Sequence, residues 1–182
     1  MSGSEYNTPL GLTTGERKGY WIVDDVEAIV GVGPQAFEAA AASLRAWAHT
    51  DLDWFRVHRP ETTRLEAGTV VAYSVRVLGL WWAFACRIVR VIDTHGTDGA
   101  REFGYVYATI GHHAARGEER VTVRLDPRTQ EVFGSILAVS RPARWYVWLG
   151  FPLARTTQRL FKPAALAALA RAVRSRTGVT TA

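Results

Sequence analysis

Between Leu52 and Ser140 the apolar residues recur at every second position, whereas the segments on either side repeat at helical spacing. "TVVAYSVRVLGL" sets Val71, Tyr73, Val75 and Val77 against Ala72, Ser74 and Arg76. "EERVTVRLD" sets Val121, Val123 and Leu125 against Arg120, Thr122 and Arg124. With "DWFRVH", "WAFACRIVRVID", "REFGYVYATIGHH" and "EVFGSILAVS" these make a run of six short strands, reversed by turn-forming stretches such as "THGTDGA", "AARGE" and "DPRTQ". Upstream, "GYWIVDDVEAIV" reads as a further strand. "GPQAFEAAAASLRAWAHT" reads as a helix, with Pro34 in its first turn and Phe37, Ala40, Ala41, Leu44 and Trp47 on one face. Downstream, "ARWYVWLGFPLARTTQRLFKPAALAALARAV" returns to helical spacing. Pro152 and Pro163 each remove a backbone donor there, which predicts a short helical piece followed by a longer C-terminal one.

One apolar face per strand must be covered, and the C-terminal helix is the element long enough to do so. The order of elements therefore predicts an α+β fold of the helix-grip type, as in START and Bet v 1-like proteins: a curved antiparallel sheet of about seven strands around one long helix, with room for a ligand. A plain two-layer sandwich without that room is the alternative. No linker or repeat divides the chain, so one domain is expected over residues 18–176, after a loosely held arm (1–17) and before a disordered tail (177–182).

Composition narrows the function classes. The net charge of +5 is spread singly through the chain, mostly as Arg, with a local basic run only in "ARAVRSRTG"; no nucleic-acid-reading face is expected. No apolar run reaches the roughly 20 residues of a membrane helix. "MSGSEYNTPLGLTTGERKG" has no apolar core of a secretion signal, so a cytoplasmic location is expected. The single Cys86 makes an intrachain disulfide or a Cys-based zinc site impossible, and a buried, inert thiol is the ordinary reading. "GVGPQAF" lacks the third glycine of a dinucleotide fingerprint, and no cofactor is expected.

The chemistry concentrates in "YVYATIGHHAARGEER". Alternation places Phe103, Tyr105, Tyr107 and Thr109 on one face, and Glu119 with Val121, Val123 and Leu125 on the inward face of the next strand. The strand carrying Cys86 is apolar on both faces; if Ala83, Ala85, Arg87, Val89 and Val91 point inward, Arg87 meets Glu119 as a buried pair. Glu118 then lies on the rim. The functional reading is a pocket walled by Tyr73, Tyr105, Tyr107 and Thr109 with that pair at one end; the bland reading is rim hydroxyls and a structural bridge. The adjacent His112 and His113 make a poor chelate, even with Glu118 or Glu119, so no metal is expected. His112 near Glu118 is the alternative acid/base pair. Ser140 and Pro142 suit a helix start, while Arg141, Trp145, Arg155 and Gln158 are candidates for the cavity mouth.

"GHHAARGEE", "AVSRPARW" and "LARTTQR", in this order, resemble the uncharacterised family called domain of unknown function 1990, or uncharacterised protein family 0548. The resemblance runs from about Tyr20 to Ala170 and takes in Gly33–Pro34 through Trp47, Cys86–Arg87, Tyr107 through Glu119, Ser140–Pro142 with Trp145, and Pro152 with Arg155 and Gln158. The chain departs from the pattern at Ala108, His112–His113–Ala114 and Val139, all near the central stretch. The resemblance implies a Bet v 1-like fold and no established activity. The expectation is a protein that binds a small, largely hydrophobic ligand, of polyketide, other aromatic or isoprenoid type. Cyclisation or isomerisation of it by Tyr107, His112, Glu118 and Glu119 is compatible with that fold. The alternative is a non-catalytic accessory protein that binds lipid or a partner through "WYVWLGF"; a homodimer stays open.

Overall fold

Seven strands form one antiparallel sheet in the order β1-β7-β6-β5-β4-β3-β2. They are β1 (Ile22–Val32), β2 (Phe55–His58), β3 (Val70–Val77), β4 (Leu80–His95), β5 (Arg101–Thr109), β6 (Ala115–Leu125) and β7 (Glu131–Pro142). Helix α1 (Pro34–Arg45) connects β1 to β2, and α2 (Phe151–Thr177) closes the chain. The structure is a computed structural model that describes residues 6–15, 17–59, 64–111, 113, 115–143 and 151–178. The change of hydrophobic period thus marks the boundaries of the run from β2 to β7, and β1 joins that run beside β7 to complete the helix-grip sheet.

The core lies between the inner face of the sheet and the two helices. Phe103, Tyr105, Val121, Val123 and Ile136 from the strands pack with Leu44 and Trp47 and with Ala165, Leu166, Leu169 and Val173 of α2. Helix α2 runs unbroken through Pro163, against the expectation of two pieces. A proline inside a helix costs about 3 kcal/mol. Leu166, Leu169 and Val173, each at most 2% exposed, recover roughly 1.5–3 kcal/mol apiece by burial beyond the proline, so packing in the grip outweighs the lost bond. No helix among the described residues is long and apolar enough to cross a membrane.

The outer face of the sheet is covered too, by a segment expected to be loose. Tyr6 bridges to Ile110, the Asn7 amide donates to the Thr109 carbonyl at 3.2 Å, and Leu12 is buried. Residues 6–15 form a strap across the end of β5 and β6, with a short 3-10 turn at Leu12–Thr14. The hairpin beneath it turns at Gly111, whose φ of 59° suits glycine.

Candidate functional site

Strand register decides which side chains meet. Tyr105 pairs with Val121, Tyr107 with Glu119 and Ala108 with Glu118, so Glu119 faces the helices and Glu118 faces away. On β4, Cys86 pairs with Thr109 and Ile88 with Tyr107, which puts Cys86 and Ile88 on the inner face and Arg87, opposite Ala108, on the outer one. The expected Arg87–Glu119 pair does not form. Arg87 lies over the Tyr6 ring of the strap at 5.5 Å. A register shift between Ile88 and Arg90 then brings Val91 opposite Tyr105, so the parity assigned to this strand holds only beyond the bulge.

The cation beside Glu119 comes from α2 instead. Lys162, 2% exposed, approaches Asp24 of β1 at 3.5 Å and acts electrostatically on Glu119. The Tyr107 hydroxyl donates to Glu119 Oε1. Burial pushes the Glu119 carboxyl above its ordinary value, against the pull of Lys162 and Tyr107 and with the help of Asp24. The cause is desolvation: removing the carboxyl from water disfavours its charged form by more than Lys162 and Tyr107 favour it. Tyr107 stays a phenol, its pKa raised first by burial and then by Glu119.

A second relay adjoins this one. His113 Nδ1 accepts the Ala115 amide at 3.0 Å, so the neutral ring carries its proton on Nε2 and donates it to the Tyr73 hydroxyl at 2.8 Å. Burial lowers His113 to about 4, with the Ala115 bond acting as the smaller cause. Cys86, buried beside Tyr73, has its thiol pushed well up by burial and by Glu119, and is no nucleophile.

Tyr73, Cys86, Tyr107, His113, Glu119 and Lys162 border a cavity of about 70 Å³ between sheet and α2. Across the wall formed by Tyr73, Cys86 and Tyr107 lies a smaller void of about 20 Å³, bordered by Trp47, His49 and Phe161. Tyr105 shares a hydrogen bond with His49 Nε2 at 3.0 Å, and burial lowers His49 to about 4. Trp47 Nε1 and His49 Nδ1 are buried without a partner there, and the void is large enough for one water or one polar ligand atom. Phe161 of α2 stacks on Phe55 at 4.7 Å, and Phe55 on Tyr73 at 5.2 Å. This aromatic stack keeps the chamber small.

The remaining expected site residues fall elsewhere. Thr109 borders the larger cavity, but its hydroxyl is engaged, donating to Asn7 Oδ1 at 2.5 Å and accepting the Gly117 amide at 3.1 Å. Glu118 is not on a rim: it is 3% exposed on the outer face and accepts from the Gly11 and Thr13 amides at 2.8 and 3.1 Å and from the Thr13 hydroxyl at 3.3 Å. Arg141 also lies on the outer face, with its guanidinium 4.3 Å from the Trp21 ring centre, and not at the cavity mouth. His112 and Trp145 lie outside the described residues, as do the side chains of Arg155 and Gln158 and nearly all of "WYVWLGF". Sequence reasoning missed Lys162, Asp24 and His49. One signal was available for Lys162: it is one of two lysines among 22 basic residues.

A family described as Domain of unknown function (DUF1990) matches residues 7–168. The chain belongs to this family. A UPF0548 protein of Dictyostelium discoideum is 32% identical over 145 residues, which cover 76% of this chain and 67% of the relative. Among solved structures, Ara h 8.0201 superposes with a TM-score of 0.50 at 12% identity, covering 86% of this chain and 99% of that one. The di-domain ARO/CYC BexL from the BE-7585A biosynthetic pathway superposes with a TM-score of 0.52 at 12% identity, covering 84% of this chain and 50% of that one. At such identities these likenesses concern the fold, which is the Bet v 1/START-like helix grip. This DUF1990 chain thus carries the helix-grip architecture, with a charged, hydrogen-bonded chamber in the grip.

Proposed function

We propose that this DUF1990 domain binds a small, largely apolar molecule, aromatic or isoprenoid in character, between the sheet and α2. One oxygen of the ligand, a carbonyl or hydroxyl, meets Tyr107, Glu119 and Lys162, while its apolar body lies against Tyr73, Phe55 and Phe161. The reading is carried by one observation: a protonatable carboxyl, hydrogen-bonded to a phenol and beside a buried ammonium, borders a cavity in the grip. A carboxyl whose proton affinity is raised by its surroundings is a proton donor and acceptor that needs no cofactor. Proton transfer at a carbon next to the ligand carbonyl, the elementary step of an isomerisation or cyclisation, is the chemistry this set supports. Glu119 takes or gives the proton, and Lys162 stabilises the enolate oxygen.

The cavity selects for size. Drug-sized ligand sites span roughly 300–1,000 Å³, and about 70 Å³ admits only a compact group unless Phe161 swings off Phe55. Ligand-observed NMR and thermal shift with a panel of phenols and aryl ketones test the proposal. Saturable binding is expected, weakened about tenfold by Tyr107→Phe or Lys162→Met in proteins that remain folded. Exchange of the enolisable hydrogen of a bound aryl ketone with solvent deuterium, lost in Glu119→Gln, tests the chemical half. Binding without exchange makes the domain a carrier. No saturable binding by any member of the panel refutes the chamber as a ligand site.

A further inference from the structure

A pair of arginines lies on the opposite face of the sheet, where β6 begins and β7 ends. Arg116 and Arg141 are direct cross-strand partners, and they share the outer face with Glu118 and Val139 by register. Like charges placed opposite each other on two strands destabilise the pair. Among the described residues neither has a carboxylate within ion-pairing distance. The nearest acid of the same face on β6, Glu118, has both oxygens taken by Gly11 and Thr13. Arg116 Nε is buried without a partner, and one of its terminal nitrogens donates to the Ala143 carbonyl at 3.4 Å. Arg141 is steadied by the Trp21 ring beneath it. The two guanidinium groups border a groove of about 350 Å³ together with Tyr20, a tyrosine left 69% exposed.

We infer that this groove binds a phosphate monoester through Arg116 and Arg141. Two planar guanidinium forks on neighbouring strands supply more donors than the two oxygens of a carboxylate need, and they suit a doubly charged group with three free oxygens. Such a group also removes the repulsion between the two arginines. The groove is larger than a phosphate, which leaves room beside Tyr20 for the organic part of the molecule. The site is on the other side of the sheet from the chamber and stands independently of the function proposed for it.

Isothermal titration of the full chain with inorganic phosphate and with glycerol 3-phosphate, at ionic strength held constant with chloride, tests the inference. Flotation with vesicles of phosphatidic acid in phosphatidylcholine, against phosphatidylcholine alone, is the third arm. Saturable binding is expected in at least one arm, weakened about tenfold or more by Arg116→Gln and by Arg141→Gln. Arg128→Gln, which removes a charge from an exposed turn, leaves it unchanged. Arg141→Lys keeps the charge but loses the fork, so it also weakens binding, and it carries the test if a glutamine variant fails to fold. A response to the soluble esters identifies a small-molecule source; a response to phosphatidic acid vesicles alone identifies a lipid headgroup. Absence of saturable binding in all three arms, or equal weakening by Arg128→Gln, overturns the inference.

Discussion

Glu118 and Glu119 are adjacent in sequence, the first buried and the second partly buried, and they do opposite things. On the outer face, Glu118 accepts three hydrogen bonds from Gly11 and Thr13 and anchors the strap. On the inner face, Glu119 receives a single described hydrogen bond, from Tyr107, and burial raises its proton affinity. Burial therefore does not by itself define the role of a carboxylate; the number of donors aimed at it does. A carboxylate with its lone pairs satisfied is a structural anchor, while one short of donors holds a proton that a ligand can use.

The largest expected effect separates the two faces by pH. His49 and His113, both on the inner side, are lowered from 6.5 to about 4. A group whose folded pKa is depressed contributes stability above its unfolded value, here 6.5, and loses it as pH falls through the folded value. The cost is about 3 kcal/mol for His49 by pH 4, and less for His113, which keeps some exposure. Urea denaturation from pH 7.5 to 4.5 is expected to show a steep loss that His113→Gln makes shallower. An unchanged slope would mean that the His113–Tyr73 relay is open to solvent.

Next in size is Glu118→Gln. An amide nitrogen would face donors that a carboxylate accepts, and hydrogen bonds to a charged group contribute about 1.5–3 kcal/mol each. A loss of about 3 kcal/mol is expected in urea denaturation, with faster hydrogen exchange at the Gly11 and Thr13 amides. A loss below 1 kcal/mol would show that the strap is held by Leu12 and its neighbours instead.

Glu119→Gln is expected to be much milder, within about 1 kcal/mol on the acid side, because burial favours the neutral form of the wild-type carboxyl and the amide is neutral too. The sign then reverses with pH. A raised carboxyl contributes stability on the acid side that is lost as pH rises through its folded value, so the glutamine variant gains on the wild type as pH increases. Parallel stability curves for the two proteins would refute proton uptake at Glu119.

The smallest effect is expected for Arg87→Gln. The contact of its guanidinium with the Tyr6 ring contributes about 0.5–1 kcal/mol, whereas breaking a buried pair with Glu119 would cost about 3–5 kcal/mol. Chemical denaturation distinguishes these magnitudes directly.

Where alternation was clean, the faces could be read from the residues. Tyr105, Tyr107, Glu119, Val121 and Val123 sit on the inner face as their spacing implies, because a β-strand repeats every two residues and Arg120, Thr122 and Arg124 mark the other face of β6 as polar. Strand β4 was not legible in this way. Both of its faces are apolar, and the shift between Ile88 and Arg90 changes the parity halfway along. The periodicity also showed that a helix would close the sheet, but not that it would pass unbroken through Pro163, since that depends on what the helix buries.

By itself, the sequence determined the order of elements, the seven-stranded grip and the membership of the DUF1990 family, because these rest on local period and on motifs contiguous in the chain. Only the tertiary structure decided the partners. Lys162 reaches Asp24 and Glu119, and Gly11 reaches Glu118, across separations of 43 to 138 residues that no local pattern records. The charge beside a buried carboxyl is chosen by which elements pack against it, and packing is a property of the folded chain alone.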